Sequence, residues 1–489
     1  MPILIVVSNP DDWPLQIPGV QLVSARSYLA DPAYSDLRNA KIFNLCRSYR
    51  YQSTGYYVSL LAAARGHKPL PSITTIQDMK SATIIRFASD DLDALIQSSL
   101  APIQSNQFTL SIYFGRNLAR RYDRLATHLF NLFQAPLLRA HFSYNRKWQL
   151  QGIGPIAASE IPQEHRPFVV QVATEYFAGR RGGVRRRAAA RYDLAILVNP
   201  QEKEPPSDER ALRRFVRAAE ALGLRAEFID RDDYGRLGEF DALFIRETTA
   251  VNHHTYRFAR RAMAEGLVVV DDPDSIVKCT NKVYLAELLD RCGVPTPRTL
   301  VIHRDNVNTI RTELGLPCIL KQPDSSFSQG VVKVEDEQTL STQLGLMLDS
   351  SDLVIAQEFL PTEFDWRVGV FDRQPLFACK YHMAGNHWQI INRNHNGSRR
   401  YGKVEAVSLE HVPRRVLRTA LRAANLIGDG LYGVDVKQCR GKCYVMEVND
   451  NPNIDAGAED AVLKDELYAR IMNVFLQRIE RLKRGAAGP

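Results

Sequence analysis

A chain of 489 residues is long enough for about three domains, and its composition is that of a folded globular protein. Apolar residues make up 45% of the chain and charged residues 24%. No apolar run approaches the ~18 residues that a membrane span needs, so a membrane-spanning protein is excluded and no membrane partner is expected. The net charge of +8 is small for this length and permits an acidic partner without requiring one.

The cysteines argue against a disulfide framework and against a zinc site. There are seven, they are scattered, none forms a CxxC pair, and no second pair completes a zinc set. The opening residues, MPILIVVSNPDDWP, lack the basic and apolar regions of a signal peptide and indicate a buried strand entering a turn. We therefore expect free thiols in a cytoplasmic protein.

Residues 1–178 form the first predicted unit, a mixed α/β domain. Strands are predicted for ILIVV, FTLSIYFG and FVVQVATEYF. Helices are predicted for YYVSLLAAARG and for RYDRLATHLFNLFQAPLLRAHF, where the helix stops near Pro136. Around Arg47 and Arg50 the segment mixes cations with several tyrosines. Such a mixture stacks nucleic-acid bases or holds a peptide or carboxylate, but packing of arginine stems over tyrosine rings is the favoured interpretation.

Residues 179–192 form a basic linker, and residues 193–275 form a second α/β domain. The linker, GRRGGVRRRAAARY, holds six arginines and no acid. Strands in DLAILVN, RAEFID and DALFIRET alternate with helices, which is typical of a covered parallel sheet. Ser207 is predicted to cap the helix that Gly223 ends. Arg246 ends a strand, which favours either ligand contact or simple solvation.

Two lysines mark the start of the next unit, residues 276–485. Lys282 lies in the first turn of a helix that Thr280 or Asn281 caps, where a cation opposes the helix dipole by ~0.3–1 kcal/mol unless an anion binds. Lys321 directly follows the buried strand CIL. The next loop, SSFSQG at 325–330, can bring backbone N–H groups to phosphate oxygens, although its single glycine makes the signal weak.

Two apolar strands follow, in DLVIAQEFLPTEFDWRVGVFD. Glu358 ends the first, and Asp365 and Arg367 open the second and share a face. The stretch FACKYHMAGNHWQIINRNHNGSRRYG is predicted to be a loop-rich basic insert near substrate. The last segment, EDAVLKDELYARIMNVFLQRIERLKR, is predicted to be an amphipathic helix that includes Leu463.

The stretch LYGVDVKQCRGKCYVMEVNDNPNIDAGAED predicts a β-hairpin with its turn at Gly441. That midpoint places Asp435 opposite Glu447 and Cys439 opposite Cys443. The polar face then carries Asp435, Lys437, Glu447 and Asn449. The core face carries Val434, Val436, Tyr444, Met446 and Val448. Hard oxygen donors on adjacent strands suit Mg²⁺, and a solvated sheet face is the alternative.

In their order along the chain, these motifs resemble an ATP-grasp ligase of the RimK and glutathione-synthetase type. The matching pieces are NKVYLAELLDRCGVPTP, CILKQPDSSFSQGV, AQEFLPTEFDWRVGV and GVDV followed by VMEVNDNPN. The resemblance covers residues about 190 to 485 and implies a pre-ATP-grasp α/β domain at 193–275. It also implies an ATP-grasp domain at 276–485, with two α+β subdomains that grip the nucleotide. Residues 1–178 resemble the extra domain found ahead of some RimK-like ligases.

The resemblance also implies roles for single residues. Lys282 and Lys321 would contact ATP phosphates, Glu358 and the following backbone would meet adenine, and Asp365 the ribose. Catalytic roles fall to Arg367, near the transferred phosphoryl group, and to Lys321. The full nucleotide set is Lys282, Lys321, Gln357, Glu358, Phe359, Leu360, Asp365, Ser328 and Gly330. The metal set is Asp435, Glu447 and Asn449. The substrate set is Arg246, Lys380, Arg393, His395 and Asn451.

The implied reaction is ATP- and Mg²⁺-dependent ligation of a carboxylate to an amine through an acyl phosphate. It would add an amino acid, for example glutamate, to a peptide, protein or small-molecule acceptor, and the acidic stretch after Asn449 would orient a cationic or amino acceptor. Two Mg²⁺ ions are expected, with Mn²⁺ as a substitute.

The alternatives are an ATP-grasp kinase or ATPase, and a nucleic-acid- or ribosome-binding protein that uses the basic N-terminal half. We expect a homo-oligomer without a nucleic-acid partner, in which the N-terminal domain docks a protein substrate.

Overall fold

Six sheets organise the part of the chain that the computed structural model describes. The described residues are 2–13, 16–17, 19–37, 40–178, 190–324, 330–384, 388–389, 391–393 and 399–486. Most of the predicted basic linker at 179–192 lies outside them. Among the helices within these ranges, none has the length and apolar character to cross a membrane. All seven cysteines are free thiols, as expected.

The first unit combines a four-stranded parallel sheet, in the order β2-β1-β3-β4, with a three-stranded antiparallel sheet, β5-β6-β7. Its strands are β1 Ile3–Val7, β2 Gln21–Ser24, β3 Lys41–Asn44, β4 Lys68–Leu70, β5 Gln107–Tyr113, β6 Leu137–Asn145 and β7 Lys147–Pro155. Its helices are α1 Ala25–Ala30, α2 Pro32–Ser35, α3 Thr54–Ala64, α4 Ile73–Asp78, α5 Ala82–Asp91, α6 Asp93–Leu100, α7 Asp123–Leu132 and α8 Arg166–Ala178.

A second parallel sheet, in the order β11-β10-β8-β9, follows residue 190. Its strands are β8 Tyr192–Leu197, β9 Leu224–Ile229, β10 Ala242–Ile245 and β11 Val268–Val270. Its helices are α9 Glu209–Ala221, α10 His254–Ala264 and α11 Pro273–Thr280. Strands β8, β10 and β11 are almost completely buried because helices cover the sheet, as the alternation of strand and helix patterns predicted, whereas the edge strand β9 is partly exposed.

The two parallel sheets are copies of one arrangement. Each places its first strand beside its second and third strands and its fourth strand at the edge. Helix α3 spans Thr54–Ala64 and α10 spans His254–Ala264, so both ends differ by 200 residues. Strand β4 and β11 differ by the same interval. In both copies an Asn-Pro pair follows the first strand, at Asn9 and Asn199. The sequence analysis did not identify this repeat.

Buried ion pairs join the two copies at the edge where their strands begin. Lys68, at the start of β4, lies 3.3 Å from Asp241, just before β10. Lys41, at the start of β3, lies 3.8 Å from Asp193 in β8 and 3.7 Å from Glu239. Because the strand starts meet here, the carboxyl ends of the two sheets lie on opposite sides of the interface.

Residues 282–486 form two antiparallel sheets and their helices. The first sheet has the order β12-β15-β13-β14 and the second β20-β17-β16-β21-β22, with a separate pair β18-β19. The strands are β12 Thr299–Ile302, β13 Cys318–Lys321, β14 Val331–Val334, β15 Val354–Glu358, β16 Phe364–Phe371, β17 Gln374–His382, β18 Ile391–Arg393, β19 Arg399–Tyr401, β20 Val404–Val407, β21 Tyr432–Cys439 and β22 Lys442–Asp450. The helices are α12 Lys282–Arg291, α13 Thr309–Glu313, α14 Glu337–Ser350, α15 Arg414–Ile427 and α16 Asp465–Ala486.

The C-terminal helix α16 joins the second parallel sheet to the five-stranded sheet. Tyr468 and Phe475 of α16 pack against Phe215 of α9 and Phe244 of β10, with ring centroids 4.7 to 5.2 Å apart. The same cluster of buried side chains includes Phe377 of β17. This shared core holds the end of β22 against the loops that follow β8 and β10.

Two predicted elements differ from the structure. The segment FVVQVATEYF, predicted as a strand, lies in helix α8, because Val169, Val172, Ala173 and Phe177 recur at helical spacing and are all buried. The β-branched residues favoured the wrong interpretation. FACKYH, assigned to a loop-rich insert, is the second half of β17.

Two helix starts also differ. Asp208, not Ser207, caps α9 and accepts a hydrogen bond from the backbone N–H of Ala211. Ser207 instead donates to the backbone oxygen of Ile454. The C-terminal helix begins at Asp465, so Leu463 precedes it.

Candidate functional site

A cleft of 1460 Å³ lies where the second parallel sheet and the two antiparallel sheets meet. Its walls come from the loop after β10, the start of α12, strands β13, β15, β16, β21 and β22, and the residues after β22. The cleft collects most of the predicted nucleotide and metal residues, which lie far apart in the sequence. Those that line it are Lys282, Lys321, Gln357, Glu358, Phe359, Leu360, Asp365, Arg367, Asp435, Glu447, Asn449 and Asn451.

The hairpin β21–β22 brings the predicted metal residues together. Asp435 pairs with Glu447 across the hairpin, as predicted. Cys439 pairs with Lys442 rather than with Cys443, so the predicted register at the turn is wrong. A β-bulge reconciles the two, because Asp435 faces Glu447 while Val436 faces Val445, which leaves Met446 as an extra residue.

The bulge also corrects the predicted core face. Cys443 and Val445 are buried in the core, where Tyr444 and Met446 were predicted, and Met446 lines the cleft. On the β21 side the prediction is correct, since Val434 and Val436 are fully buried. Met446, the extra residue, reverses which side chains of β22 point to each face of the sheet beyond the bulge. Glu447 and Asn449 therefore face the cleft together with Asp435.

Each carboxylate of this group is paired with a cation. Arg367, opposite Asp435 on β16, donates from Nε and Nη2 to the two oxygens of Asp435, and the Nη2 bond is 2.8 Å long. The ammonium of Lys282 lies 3.0 Å from Glu447 Oε1. Asn449 Nδ2 lies 3.4 Å from Asp435 Oδ2. Two carboxylates and an amide on adjacent rigid strands provide the hard oxygen donors that Mg²⁺ prefers, so the donor set fits this ion.

Burial and these cations shift the ionisation of the group. Burial raises the pKa of Asp435, although Arg367 opposes the shift. Burial also acts to raise the pKa of Glu447, but Lys282 and Lys321 outweigh it and lower the pKa overall. Burial lowers the pKa of Lys321 to about 8, and Glu447 opposes that shift. The charges of Asp435, Glu447 and Lys321 therefore depend on one another and on any charged ligand that enters the cleft.

The predicted nucleotide residues form a chain of contacts at the other end of the cleft. Lys321 Nζ donates to Gln357 Oε1 over 2.7 Å, and Gln357 Nε2 donates to Thr299 Oγ1 over 2.9 Å. The Lys333 ammonium lies 4.5 Å from the centre of the Phe359 ring. Gly330 has a φ of +66°, and a Cβ there would lie 2.6 Å from Gln322 Oε1, so the position requires glycine. Ser328 lies outside the described residues.

Asp365, predicted to meet ribose, is bound by a residue that sequence reasoning placed on the hairpin face without giving it a role. Lys437 Nζ donates to Asp365 Oδ1 and to Thr362 Oγ1, both over 2.6 Å. Thr362 also donates to Asp365 Oδ1 over 3.0 Å. Lys437 adds a fourth cation to Lys282, Lys321 and Arg367 on the wall of the cleft, where Asp365, Asp435 and Glu447 also lie.

Two of the predicted substrate residues contact each other. Arg246 is 1% exposed, and its guanidinium donates to Asn451 Oδ1 over 2.7 Å, to Ser207 Oγ and to the backbone oxygen of Pro452 over 2.9 Å. Asn451 Nδ2 donates to the backbone oxygen of Glu247 over 2.6 Å. Arg246 thus holds the segment after β22 against the end of β10 and is itself enclosed by protein.

Among the other predicted substrate residues, Lys380 does not line the cleft. Lys380 pairs with Glu405 at 3.6 Å and lies on the opposite face of β17 from Tyr381, which lines the cleft. Arg393 belongs to β18, but the structure does not describe its side chain. His395 lies outside the described residues. Tyr381, which the sequence analysis did not single out, lies below the Arg367 guanidinium at 5.0 Å and donates to Glu459.

The acidic stretch after Asn449 is largely bound by the protein. Asp460 accepts from Arg214 over 2.7 Å and from Tyr468 over 2.9 Å. Asp455 accepts from the backbone N–H of Asp208 over 2.7 Å. Asp455 and Glu459 nevertheless line the cleft, and burial raises the pKa of both.

Family models match both halves of the chain. Residues 25–172 match the RimK-like ATPgrasp N-terminal domain, and residues 279–472 match the RimK-like ATP-grasp domain. The chain belongs to the RimK-like ATP-grasp ligases. The predicted ATP-grasp fold with a separate N-terminal domain is confirmed, and ATP and Mg²⁺ are the cofactors of this family.

Curated relatives match about half of this ligase. The chain is 28% identical over 233 residues to a probable alpha-L-glutamate ligase of Vibrio vulnificus (strain YJ016), and the match covers 47% of this chain and 74% of the relative. It is 28% identical over 272 residues to a protein of the same name from Teredinibacter turnerae, and that match covers 52% of this chain and 87% of the relative.

Solved structures are similar at lower identity. A D-alanine–D-alanine ligase from Bacillus anthracis covers 60% of this ligase and 99% of its own chain, at 15% identity and a TM-score of 0.46. A RimK domain ATP-grasp protein from Sphaerobacter thermophilus covers 57% of this ligase and 98% of its own chain, at 18% identity and a TM-score of 0.45.

Proposed function

We propose that this ligase adds glutamate to a peptide, protein or small-molecule acceptor through an amide bond, with an acyl phosphate as the intermediate. One observation carries the proposal: four cations, two carboxylates on adjacent strands and an amide face one cleft, and these two carboxylates, Asp435 and Glu447, are each paired with one of the cations. Similarity to proteins named probable alpha-L-glutamate ligase supports glutamate as the amino acid.

The residues suggest how ATP is bound. Lys282 and Lys321 would bind phosphate oxygens, and Asp435, Glu447 and Asn449 would hold Mg²⁺, which neutralises phosphate charge when bound. Lys282 is paired with Glu447, and Arg367 with Asp435. Entry of the nucleotide would exchange these partners, because phosphates compete for the cations and release the carboxylates. We also propose two Mg²⁺ ions, for which Mn²⁺ can substitute.

The chemical steps require positioning more than a protein nucleophile. A substrate carboxylate oxygen attacks the γ-phosphorus of ATP and ADP leaves, which gives the acyl phosphate. An amine nitrogen then attacks the acyl carbon, phosphate leaves and the nitrogen loses a proton. Arg367 would stabilise the charge on the transferred phosphoryl group with a planar pair of N–H donors. We also propose that the 325–330 loop, of which residues 325–329 lie outside the described part of the chain, excludes water from the acyl phosphate, which water hydrolyses.

The N-terminal unit supports a further part of the proposal, that residues 1–178 dock a protein substrate. Arg47 of its cation- and tyrosine-rich segment is paired with Asp12, and Tyr49 is buried, which favours packing over base stacking. Tyr51 remains 69% exposed. The domain bounds 1–178, 179–192, 193–275 and 276–485, the homo-oligomer and the cytoplasmic location belong to the same proposal.

The test uses purified full-length protein with ATP, Mg²⁺, glutamate and pooled acceptors, and it follows both ADP release and product mass. We expect ADP release that depends on glutamate and an acceptor, together with an acceptor heavier by one glutamyl residue. A phosphorylated product without an amide would identify a kinase instead, and ADP release that no acceptor changes would identify an ATPase.

A further inference from the structure

A cluster of two histidines and a glutamate lies beside the cleft and has no part in the proposed ligation. Glu247 follows β10, His253 precedes α10 and His254 is its first residue. Each residue offers one ligand atom, and these three atoms lie within 4.8 Å of one another. The loop between them, Thr248–Asn252, lines the cleft.

Neighbouring residues orient the ligand atoms toward one another. Glu247 is 2% exposed; its Oε1 accepts from Asn199 Nδ2 over 3.2 Å, and its Oε2 lies 2.9 Å from His254 Nε2. His253 Nδ1 lies 3.2 Å from Thr255 Oγ1, which leaves Nε2 for another partner. Outer contacts of this kind fix the ring orientation of histidine ligands in metal sites.

The internal repeat provides a comparison within the same chain. In the first copy, Ser53 and Thr54 occupy the positions of His253 and His254, 200 residues earlier. Ser53 caps α3 by accepting from the backbone N–H of Tyr56. His253 makes no such side-chain cap. The same strand–loop–helix unit therefore folds without the histidines. In the second copy, His253 stands where the first copy has the N-cap serine, and its side chain is part of the cluster instead of capping the helix.

The geometry points to a binding site for a divalent transition-metal ion of the Zn²⁺ class on Glu247, His253 and His254, and we propose this as a second metal site. Two imidazole nitrogens and one carboxylate oxygen form a set that binds Zn²⁺ and leaves a fourth position open. Mg²⁺ prefers oxygen donors alone, so the two sites select different ions. A bound ion would hold the loop 248–252 in place at the wall of the cleft.

Metal binding by the full-length chain tests this proposal. Chelator-treated protein is titrated with Zn²⁺ by calorimetry in excess Mg²⁺, which occupies the oxygen-donor site. We expect one tightly bound Zn²⁺ per chain and an affinity at least about tenfold lower in His254→Gln. His128→Gln, which alters a half-buried histidine on α7, and Glu447→Gln should leave the affinity unchanged.

The result is separable from misfolding and from the ligase reaction. Wild-type protein loaded with Co²⁺ should show the intense visible absorption of a four-coordinate ion, which requires no variant. The proposal is wrong if wild-type protein binds no Zn²⁺ tightly, if Co²⁺ gives only the weak spectrum of a six-coordinate ion, or if Glu447→Gln abolishes Zn²⁺ binding. None of these measurements depends on turnover, so an inactive preparation or an incorrect reaction assignment does not affect them.

Discussion

The ammonium of Lys282 lies 3.0 Å from Glu447 Oε1, which joins the first turn of α12 to the β21–β22 hairpin across 165 residues of sequence. The lysine carries a charge that opposes the helix dipole, and the glutamate half-buried beside it compensates that charge. Their pairing places a proposed phosphate ligand next to a proposed metal ligand. The contact is therefore the simplest structural reason to regard the cleft as a nucleotide site.

Replacing Glu447 with Gln should weaken the response to Mg²⁺ by at least about tenfold, because the substitution removes a charged oxygen ligand while keeping the side-chain shape. The measurement is ADP release as a function of Mg²⁺ concentration. Glu405→Gln is the control, since Glu405 is a carboxylate of the same sheet that pairs with Lys380 outside the cleft. Equal Mg²⁺ curves for wild type and Glu447→Gln would remove Glu447 from the metal set.

The pKa of about 8 at Lys321 predicts a pH dependence of nucleotide binding. Below pH 8 the amine is charged and attracts phosphate, and the charge is lost as the pH rises through 8. ATP affinity should therefore fall above pH 8, and binding near that pH should take up a fraction of a proton. Calorimetry in buffers of different ionisation enthalpy measures the uptake. Lys321→Arg, which stays charged, should abolish the uptake, and an unchanged value would contradict the assignment.

The same shift has an opposite consequence for stability. The pKa of Lys321 is lowered from 10.5 to about 8 in the folded protein, so between these values the unfolded chain binds more protons. The contribution of Lys321 to the free energy of unfolding should consequently rise with pH across this window. Denaturant midpoints of wild type and Lys321→Met at pH 7 and pH 10 measure this contribution. A difference between the two proteins that does not change with pH would contradict it.

Arg246 should act on stability rather than on substrate binding. Arg246→Lys leaves buried acceptors on Asn451, Ser207 and Pro452 without all of their donors, which should lower the free energy of unfolding by about 2–4 kcal/mol. Arg213→Lys, at an exposed position on α9, is the control. A variant with normal stability but a greatly raised KM for one substrate would show instead that Arg246 contacts substrate.

Gly433 provides a way to move Arg367 without removing it. A Cβ at this position would lie 2.8 Å from Pro452 Cβ and 3.0 Å from Arg367 Cδ, so Gly433→Ala should displace the guanidinium. We expect kcat to fall by about tenfold or more while the fold is retained, since small misplacements of positioning groups are costly. Gly152→Ala, which meets nothing within 4 Å, should have normal kcat. Normal kcat in both variants would argue against a role for Arg367 in the reaction.

Much of the site follows from local patterns, because alternation, caps and breakers act within a few residues. The pairing of Asp435 with Glu447 and the positions of Lys282 and Lys321 are of this kind. The bulge at Met446 is not, since the core decides which residues of β22 are buried. Lys437 was placed on the polar face of the hairpin but was given no role, because its partner, Asp365, comes from a strand that is distant in sequence. Helix α8 was missed although its buried residues have helical spacing, because β-branched residues were given more weight than periodicity.

The most direct test of the central claim is product analysis with isotopically labelled glutamate, ATP, Mg²⁺ and an acceptor pool. The account predicts that wild-type protein forms a labelled amide with one ADP released for each bond, and that Glu447→Gln forms little of it. ATP consumption by wild-type protein without any amide in the presence of a full acceptor pool, or with only a phosphorylated product, would contradict the account.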